Sequence, residues 1–349
     1  MSRMPERWDL LLHGTVFLDV VFTGLSNLPQ RGTEVLADGM GSCPGGIANL
    51  AIAASRLGLH TTLAAAFGDD VYGDFCWTTM QDQEGVDLTP SRRFPGWHSP
   101  VTVSMVVNRD RAMVTHAHPA PLSTLEMMGT VPDARAGFVH LENEPQDWLG
   151  QASDMLLFAD IGWDPREEWS PKILDQLEGF HAFLPNSVEA MAYTHTDDPH
   201  DALHALADRV PVAVVTCGGQ GALAVDSTTG EEEWMPSLPV NSYDPTGAGD
   251  VFGAAFVLGT LNEWPLKQRL AFANLCAALS VQYVGGSLAA PGWGDIIDWL
   301  SGVRAKAAAG QTTAAEYLAA YSFIEDVMPT SGRLAVRRAR ATIARASDA

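Results

Sequence analysis

Positive charge is scarce in this chain of 349 residues: 21 Lys and Arg stand against 42 Asp and Glu, for a formal net charge of −21 and a pI of about 4.7. A surface this acidic repels polyanions, which argues against nucleic acid and anionic membranes as partners. A small anion such as ATP would need a local positive field from helix N-termini and Mg2+. Long apolar runs are missing as well, and without 18 consecutive uncharged apolar residues no transmembrane helix is expected. The opening, Met1 to Asp9, is polar and leads only into Leu10-Leu11-Leu12. It reads as neither a secretory signal nor a transit peptide, so a cytoplasmic location is expected. Cysteine is sparse: Cys43, Cys76, Cys217 and Cys276 lie far apart, with no C-x-x-C pair or His/Cys cluster to suggest structural zinc, and they read as free thiols. Repeats and low-complexity linkers are absent too. What remains is a length that can bury a large core, as one big domain with an appendage or two modest domains.

The most informative stretch is Asp244-Pro245-Thr246-Gly247-Ala248-Gly249-Asp250, running into the apolar Val251 to Leu258. It reads as a loop that becomes a buried helix. The first turn of a helix has unpaired N–H groups and a partial positive charge, and glycine lets an anion approach them. Asp250 would place a proton acceptor beside that anion site, a pairing that suggests phosphoryl transfer to a hydroxyl. Taken alone, the heptapeptide serves equally well as an ordinary helix start. A dinucleotide-binding turn fits poorly, because the third glycine falls at Gly253, one residue late, and Arg269 stands about where an acid belongs.

Along the chain, Leu10 to Gly14 and Thr15 to Phe22 read as the start of a strand pair, with Asp19 an acid inside an apolar run. A short strand is expected at Glu34 to Ala37, then a glycine-rich loop from Gly39 to Gly46. That loop feeds a small-residue helix carrying Asn49 and ended by Gly58. Thr61 to Phe67 is a further strand, and Gly68 to Gly73 turns into a helix through about Gln83. Val101 to Val107 and Ala112 to His118 alternate as a β-hairpin about Asn108-Arg109-Asp110-Arg111. His116 and His118 read as surface or lid histidines. From about residue 136, strands alternate with helices, the signature of a parallel sheet covered on both faces. These strands are Gly137 to Leu141, Leu156 to Ile161, Ala182 to Leu184 and Val212 to Thr216. Ligands bind beyond the carboxyl ends of such strands. The polar residues there are Glu142, Asn143 and Glu144; Asp160 and Asp164-Pro165-Arg166; Asn186 and Glu189; and Cys217 to Gly221. Asn186 and Glu189 share a helix-start face that could hold hydrated Mg2+, or they are simply a capping pair. Gly218, Gly219 and Gly221 make a tight turn, a nucleotide floor, or both. Lys267 to Val284 reads as one helix containing Asn274, and residues 293 to 349 as helical extension. The chain ends with Arg333, Arg337, Arg338, Arg340 and Arg345 against Asp348, a basic face that packs on the body or is solvated.

In order and spacing, several of these segments resemble the ribokinase-like (PfkB) carbohydrate kinases. Gly45-Gly46-Ile47-Ala48-Asn49 and Phe67-Gly68-Asp69-Asp70 with Gly73 resemble the amino-terminal signature, and Asp244 to Phe256 the carboxy-terminal one. Asn186-x-x-Glu189 is similar to the magnesium-associated motif, and Asp160 to Arg166 to a strand-end segment.

The resemblance covers about residues 8 to 300. It implies a three-layer α/β fold with a mainly parallel central sheet and a small β-sheet lid. The domain would span residues 1–300, with lid strands from about 14–40 and 100–118, followed by a C-terminal helical extension over 301–349. It implies ATP-dependent phosphorylation of a hydroxymethyl group of an unphosphorylated sugar or nucleoside. Asp250 would be the general base, and the N–H groups of Gly247, Ala248 and Gly249 the anion hole. Asp19, Gly45, Gly46, Asn49 and Glu142 would hold substrate; Asn186, Thr216, Gly218, Gly221 and Asn274 the nucleotide; Glu189 a magnesium ion through water; Asp244 and Thr246 a potassium-type ion. A homodimer with paired lids is expected. The same fold also hosts a second class, a non-catalytic sugar- or nucleoside-binding regulator, which would have no use for Asp250.

Overall fold

Short apolar runs with β-branched residues become strands because their side chains can be buried on both faces of a sheet. The computed structural model describes residues 7–107, 110–152, 154–164, 166–329 and 332–339. In chain order the strands are β1 (Trp8–His13), β2 (Val16–Leu25), β3 (Gly39–Gly46), β4 (Thr61–Ala64), β5 (Ala66–Gly68), β6 (Arg92–Phe94), β7 (Val101–Val107), β8 (Asp110–His116), β9 (Ala134–Leu141), β10 (Leu156–Ile161), β11 (Ala182–Phe183), β12 (Val212–Thr216), β13 (Ala222–Asp226) and β14 (Glu231–Met235). The helices are α1 (Ala48–Leu57), α2 (Val71–Thr78), α3 (Thr124–Met128), α4 (Ser187–Thr194), α5 (Pro199–Ala207), α6 (Ala248–Leu261), α7 (Leu266–Ser280), α8 (Gly286–Ala289), α9 (Trp293–Ala308), α10 (Thr312–Ala320) and α11 (Ile324–Val327).

Among the described residues, eight strands form the central sheet in the order β14-β13-β12-β11-β10-β9-β1-β4. All pairs from β4 through β12 are parallel, and β13 and β14 add an antiparallel edge. Alternate residues feed two separate cores, one on each face. Leu10, Leu12, Val212 and Val214 pack with α1, α6 and α7, whereas Leu11, Ala213 and Val215 pack with residues of α4 and α5. This is the expected three-layer sandwich. Helix α6 is apolar on all sides and buried from Val251 to Leu261, as a helix at the centre of a large core must be.

A second sheet, β3-β2-β7-β8, stands apart as the small lid, with β7 and β8 forming the expected hairpin. Asn108 and Arg109 of its turn lie outside the described residues, as do Pro165, Arg340, Arg345 and Asp348.

Several elements differ from expectation. β1 and β2 do not pair with each other, because the chain leaves the central sheet at Gly14 and enters the lid. Glu34 to Ala37 forms no strand, whereas Gly39 to Gly46, expected as a loop, is β3, paired antiparallel along β2 from Val16↔Gly46 to Thr23↔Gly39. The long helix at Lys267 is shorter than expected, ending at Ser280 rather than Val284. Helix α9 runs through residue 300. Among the described residues beyond α11, one turn at Arg333–Ala335 is helical and the rest are not. The Ala339 N–H donates to Leu288 O, and Arg338 stacks 3.7 Å from the Tyr283 ring centre, so this stretch lies back on the body.

Candidate active site

The carboxyl ends of the parallel strands open toward the root of the lid. Two cavities lie there. The first, about 480 Å³, is lined by Phe17 and Gly46 from the lid side and by His140, Glu142, Asp160, Asn186, Glu189 and Asp250 from the sheet side. The second, about 320 Å³, lies over Gly218, Gly221 and Asn274, with Leu238, Val240 and Ala277 as apolar walls. Thr216 and Gly249 line both.

Asp250 lies in the first turn of α6, which starts from Gly247 at φ 74°. That left-handed backbone suits glycine, and a Cβ there would also stand 3.0 Å from Asn49 Cγ. Asn49 Nδ2 donates to Asp250 Oδ2 at 3.2 Å, while Asn49 Oδ1 is buried without a hydrogen-bond partner. Burial raises the Asp250 pKa to about 7. The Asp160 charge adds to the rise, and the Asn49 bond and His140 oppose it.

Strands β9 and β10 place His140 directly opposite Asp160, and His140 Nδ1 lies 2.8 Å from Asp160 Oδ1. Burial alone would lower the His140 pKa, but the bond to Asp160 and the charges of Asp160, Asp250 and Glu142 lift it to about 9. Glu189 is raised to about 7, first by burial and then by Asp160, against the hydrogen bonds from Asn186. Those bonds are a reciprocal capping box. The Glu189 N–H donates to Asn186 Oδ1 at 3.0 Å, and the Asn186 N–H donates to Glu189 Oε2 at 3.1 Å. The capping reading of this pair therefore holds, and its side chains still face the first cavity.

Other expected residues sit further from the cavities or are already engaged. Asp19 is buried in β2, and a Cβ on Gly45 would fall 1.9 Å from its Oδ2, so Gly45 makes room for Asp19 while Gly46 faces the cavity. Asp244 is buried. Its Oδ1 accepts the Thr246 N–H at 3.0 Å and its Oδ2 the Gly285 N–H at 3.2 Å, which ties the loop to the turn before α8. The Ala248 N–H donates to Pro245 O at 3.2 Å, and the Asn274 amide donates to Met235 O at 2.8 Å. Space around Gly249 is open, with nothing within 4 Å of where a Cβ would lie.

His140 was not expected. In Gly137-Phe138-Val139-His140-Leu141 it looks like one polar residue in a buried strand; the usable signal was that it ends a parallel strand, as Asp160 does. His13 is a second such residue. It lines the first cavity with Nε2 unpaired, and burial lowers its pKa to about 4. All four cysteines are free, as expected. No helix among the described residues is long and apolar enough to cross a membrane.

Chemically, the site offers a carboxylate whose proton affinity is raised toward neutrality, in the first cavity and one residue from Gly249, which lines both. Known proteins share this arrangement's framework. Residues 14–292 match the family described as pfkB family carbohydrate kinase. The nucleoside kinase of Methanothermobacter thermautotrophicus is 25% identical over 306 residues, covering 84% of this chain and 96% of that protein. The ribokinase of Bacillus subtilis is 27% identical over 311 residues, covering 84% and 99%. A solved Arabidopsis thaliana ribokinase complexed with ribose and ATP superposes with a TM-score of 0.67 at 22% identity, covering 82% and 96%, a likeness of fold.

Proposed function

Because this chain belongs to the pfkB family of carbohydrate kinases and is a carbohydrate or nucleoside kinase, we propose that it transfers the γ-phosphoryl group of ATP to a hydroxymethyl group of an unphosphorylated sugar or nucleoside. The observation that carries this reading is the meeting of the two cavities at Thr216 and Gly249, with Asp250 one residue further along the same helical turn. The acceptor occupies the first cavity, where Glu142, Gly46 and the Asp19/Asn49 layer hold its hydroxyls. The nucleotide occupies the second, over Gly218, Gly221 and Asn274, with its phosphates toward Thr216 and Asn186.

Asp250 takes the proton of the acceptor hydroxyl as that oxygen attacks the γ-phosphorus. The bond from that phosphorus to the bridging oxygen breaks, and ADP leaves. Charge on the transferring group is met by the N–H groups of Gly247 and Gly249, joined by Ala248 once its bond to Pro245 O is released. Asn49 orients Asp250, and His140 holds Asp160 away from it. The hard oxygen donors of Asn186 and Glu189 suit a hydrated magnesium ion, which supplies charge neutralisation on the phosphates. Asp244 and Thr246 would serve a potassium-type ion, which a comparison of turnover in KCl and NaCl tests. Acidic side chains outnumber the His140 cation in the lining of the acceptor cavity, which disfavours a substrate that already carries phosphate. The exposed Leu36, Met113 and Val114 give the lid and its edge strand apolar exposure that suits pairing with a second copy, checked by sedimentation. ATP consumption suits a cytoplasmic enzyme.

The test is ADP release by the purified chain with Mg2+ across a panel of sugars, sugar acids and nucleosides. Turnover with one panel member, lost in Asp250→Asn, is expected. Binding of a panel member without turnover would overturn the reading in favour of a non-catalytic binder.

A further inference from the structure

Away from the cavities, α5 and the edge strand β14 bring three metal-binding side chains together. Asp198 fixes the start of α5 by accepting the His200 N–H at 2.8 Å, with Pro199 in the first helical position. His200 and His204, four residues apart, then share one face, their ring centres 6.4 Å apart. Glu232 of β14 reaches the same point: its Oε1 lies 3.7 Å from His200 Nδ1 and 3.5 Å from His204 Nε2. One ligand atom from each of the three residues lies within 4.8 Å of the others, and among the described residues this is the one such group found.

We propose that His200, His204 and Glu232 form a surface site for a divalent cation of the Zn2+ class, separate from the oxygen-lined cavity. Two imidazole nitrogens with one carboxylate oxygen suit Zn2+, Ni2+ or Cu2+ rather than Mg2+. In a tetrahedral site with bonds of about 2.0–2.1 Å, ligand atoms stand roughly 3.3–3.5 Å apart. The two distances to Glu232 already approach this, so small side-chain rotations close the set. All three residues are exposed, which gives the ion entry and leaves a fourth position for water. A bound ion would join the α5 layer to the outermost strand of the sheet. That strand leads through Met235 into Leu238 and Val240 of the second cavity, so the ion would add a tie to an edge strand whose ladder pairs only with β13.

The experiment is calorimetric titration of the full chain with ZnCl2 in excess MgCl2, with His204→Ala and Glu232→Gln alongside, and melting curves with and without EDTA. One Zn2+ is expected to bind the wild type. Binding should weaken by about tenfold or more in each variant, while their melting in EDTA and their turnover stay at wild-type values. Zn2+ should raise the wild-type melting temperature but not that of the variants. Absence of binding to the wild type, or binding that survives both substitutions, overturns the proposal.

Discussion

As the base of the proposed reaction, Asp250 carries two opposed demands: it would have to be ionised to accept a proton, and its surroundings resist that ionisation. With its pKa raised to about 7, kcat/KM should fall about tenfold per unit below pH 7, which a pH–rate profile checks. Asp250→Asn should cut turnover by about 10² to 10⁴ while nucleotide binding, measured by calorimetry, persists. The folded value lies above the ordinary aspartate value of about 3.9. The native protein therefore holds a proton that the unfolded chain releases, and stability falls as pH rises from about 4 to about 7, then levels. Asp250→Asn escapes that loss, so it should melt about 2–5 °C above wild type at pH 8 and match it near pH 4. The His140 cation favours the ionised base, and its removal also frees the Asp160 charge. His140→Gln should therefore move the acid limb of the profile to higher pH, and an unmoved limb would remove His140 from the mechanism. Asp250 and its loop were legible in the sequence because a helix start writes its chemistry into consecutive residues. His140 and Asp160 were not legible as a pair, since their meeting depends on which strands are neighbours.

Among the elements, β3 is the instructive one. Gly39-Met40-Gly41-Ser42-Cys43-Pro44-Gly45-Gly46 has the composition of a loop, yet it pairs with β2 as a strand, and its last two glycines let the backbone pass where a Cβ would strike Asp19 or Phe17. Tertiary context overrode local preference here. Gly45→Ala should push Asp19 aside and raise KM for the acceptor while leaving KM for ATP within about twofold, a split that steady-state kinetics reads directly.

A second device joins elements more firmly. Arg56 of α1 pairs with Glu84 at 2.6 Å and donates to the carbonyls of Leu288 and Ala290, holding α1, the turn after α2 and α8 together in the interior. Arg56→Met strands a buried carboxylate and should cost about 3–5 kcal/mol in urea unfolding. Adding Glu84→Met should restore part of that. Arg56 reads as an ordinary helix-end cation in the sequence, and only the fold supplies its partners.

At the scale of the whole molecule, the parallel sheet covered on both faces was legible in strands alternating with helices and the lid hairpin in the alternation of Val101 to Val107 and Ala112 to His118, whereas the three-layer fold with its lid came from the family resemblance. The C-terminal segment was less legible. Its sequence suggests an added helical extension, whereas Trp293, Ile296, Leu300, Tyr321 and Ile324 are buried in the same core as α6 and α7. Phe272 of α7 touches Trp293, and Trp264 touches Phe323. A chain ending at residue 292 should therefore be insoluble or melt far below the full chain. The family match ends at residue 292, but the buried core does not. A hybrid kinase built by exchanging residues 14–292 alone would therefore set a foreign body against this chain's own α9 to α11 side chains, and its interior would no longer fit together.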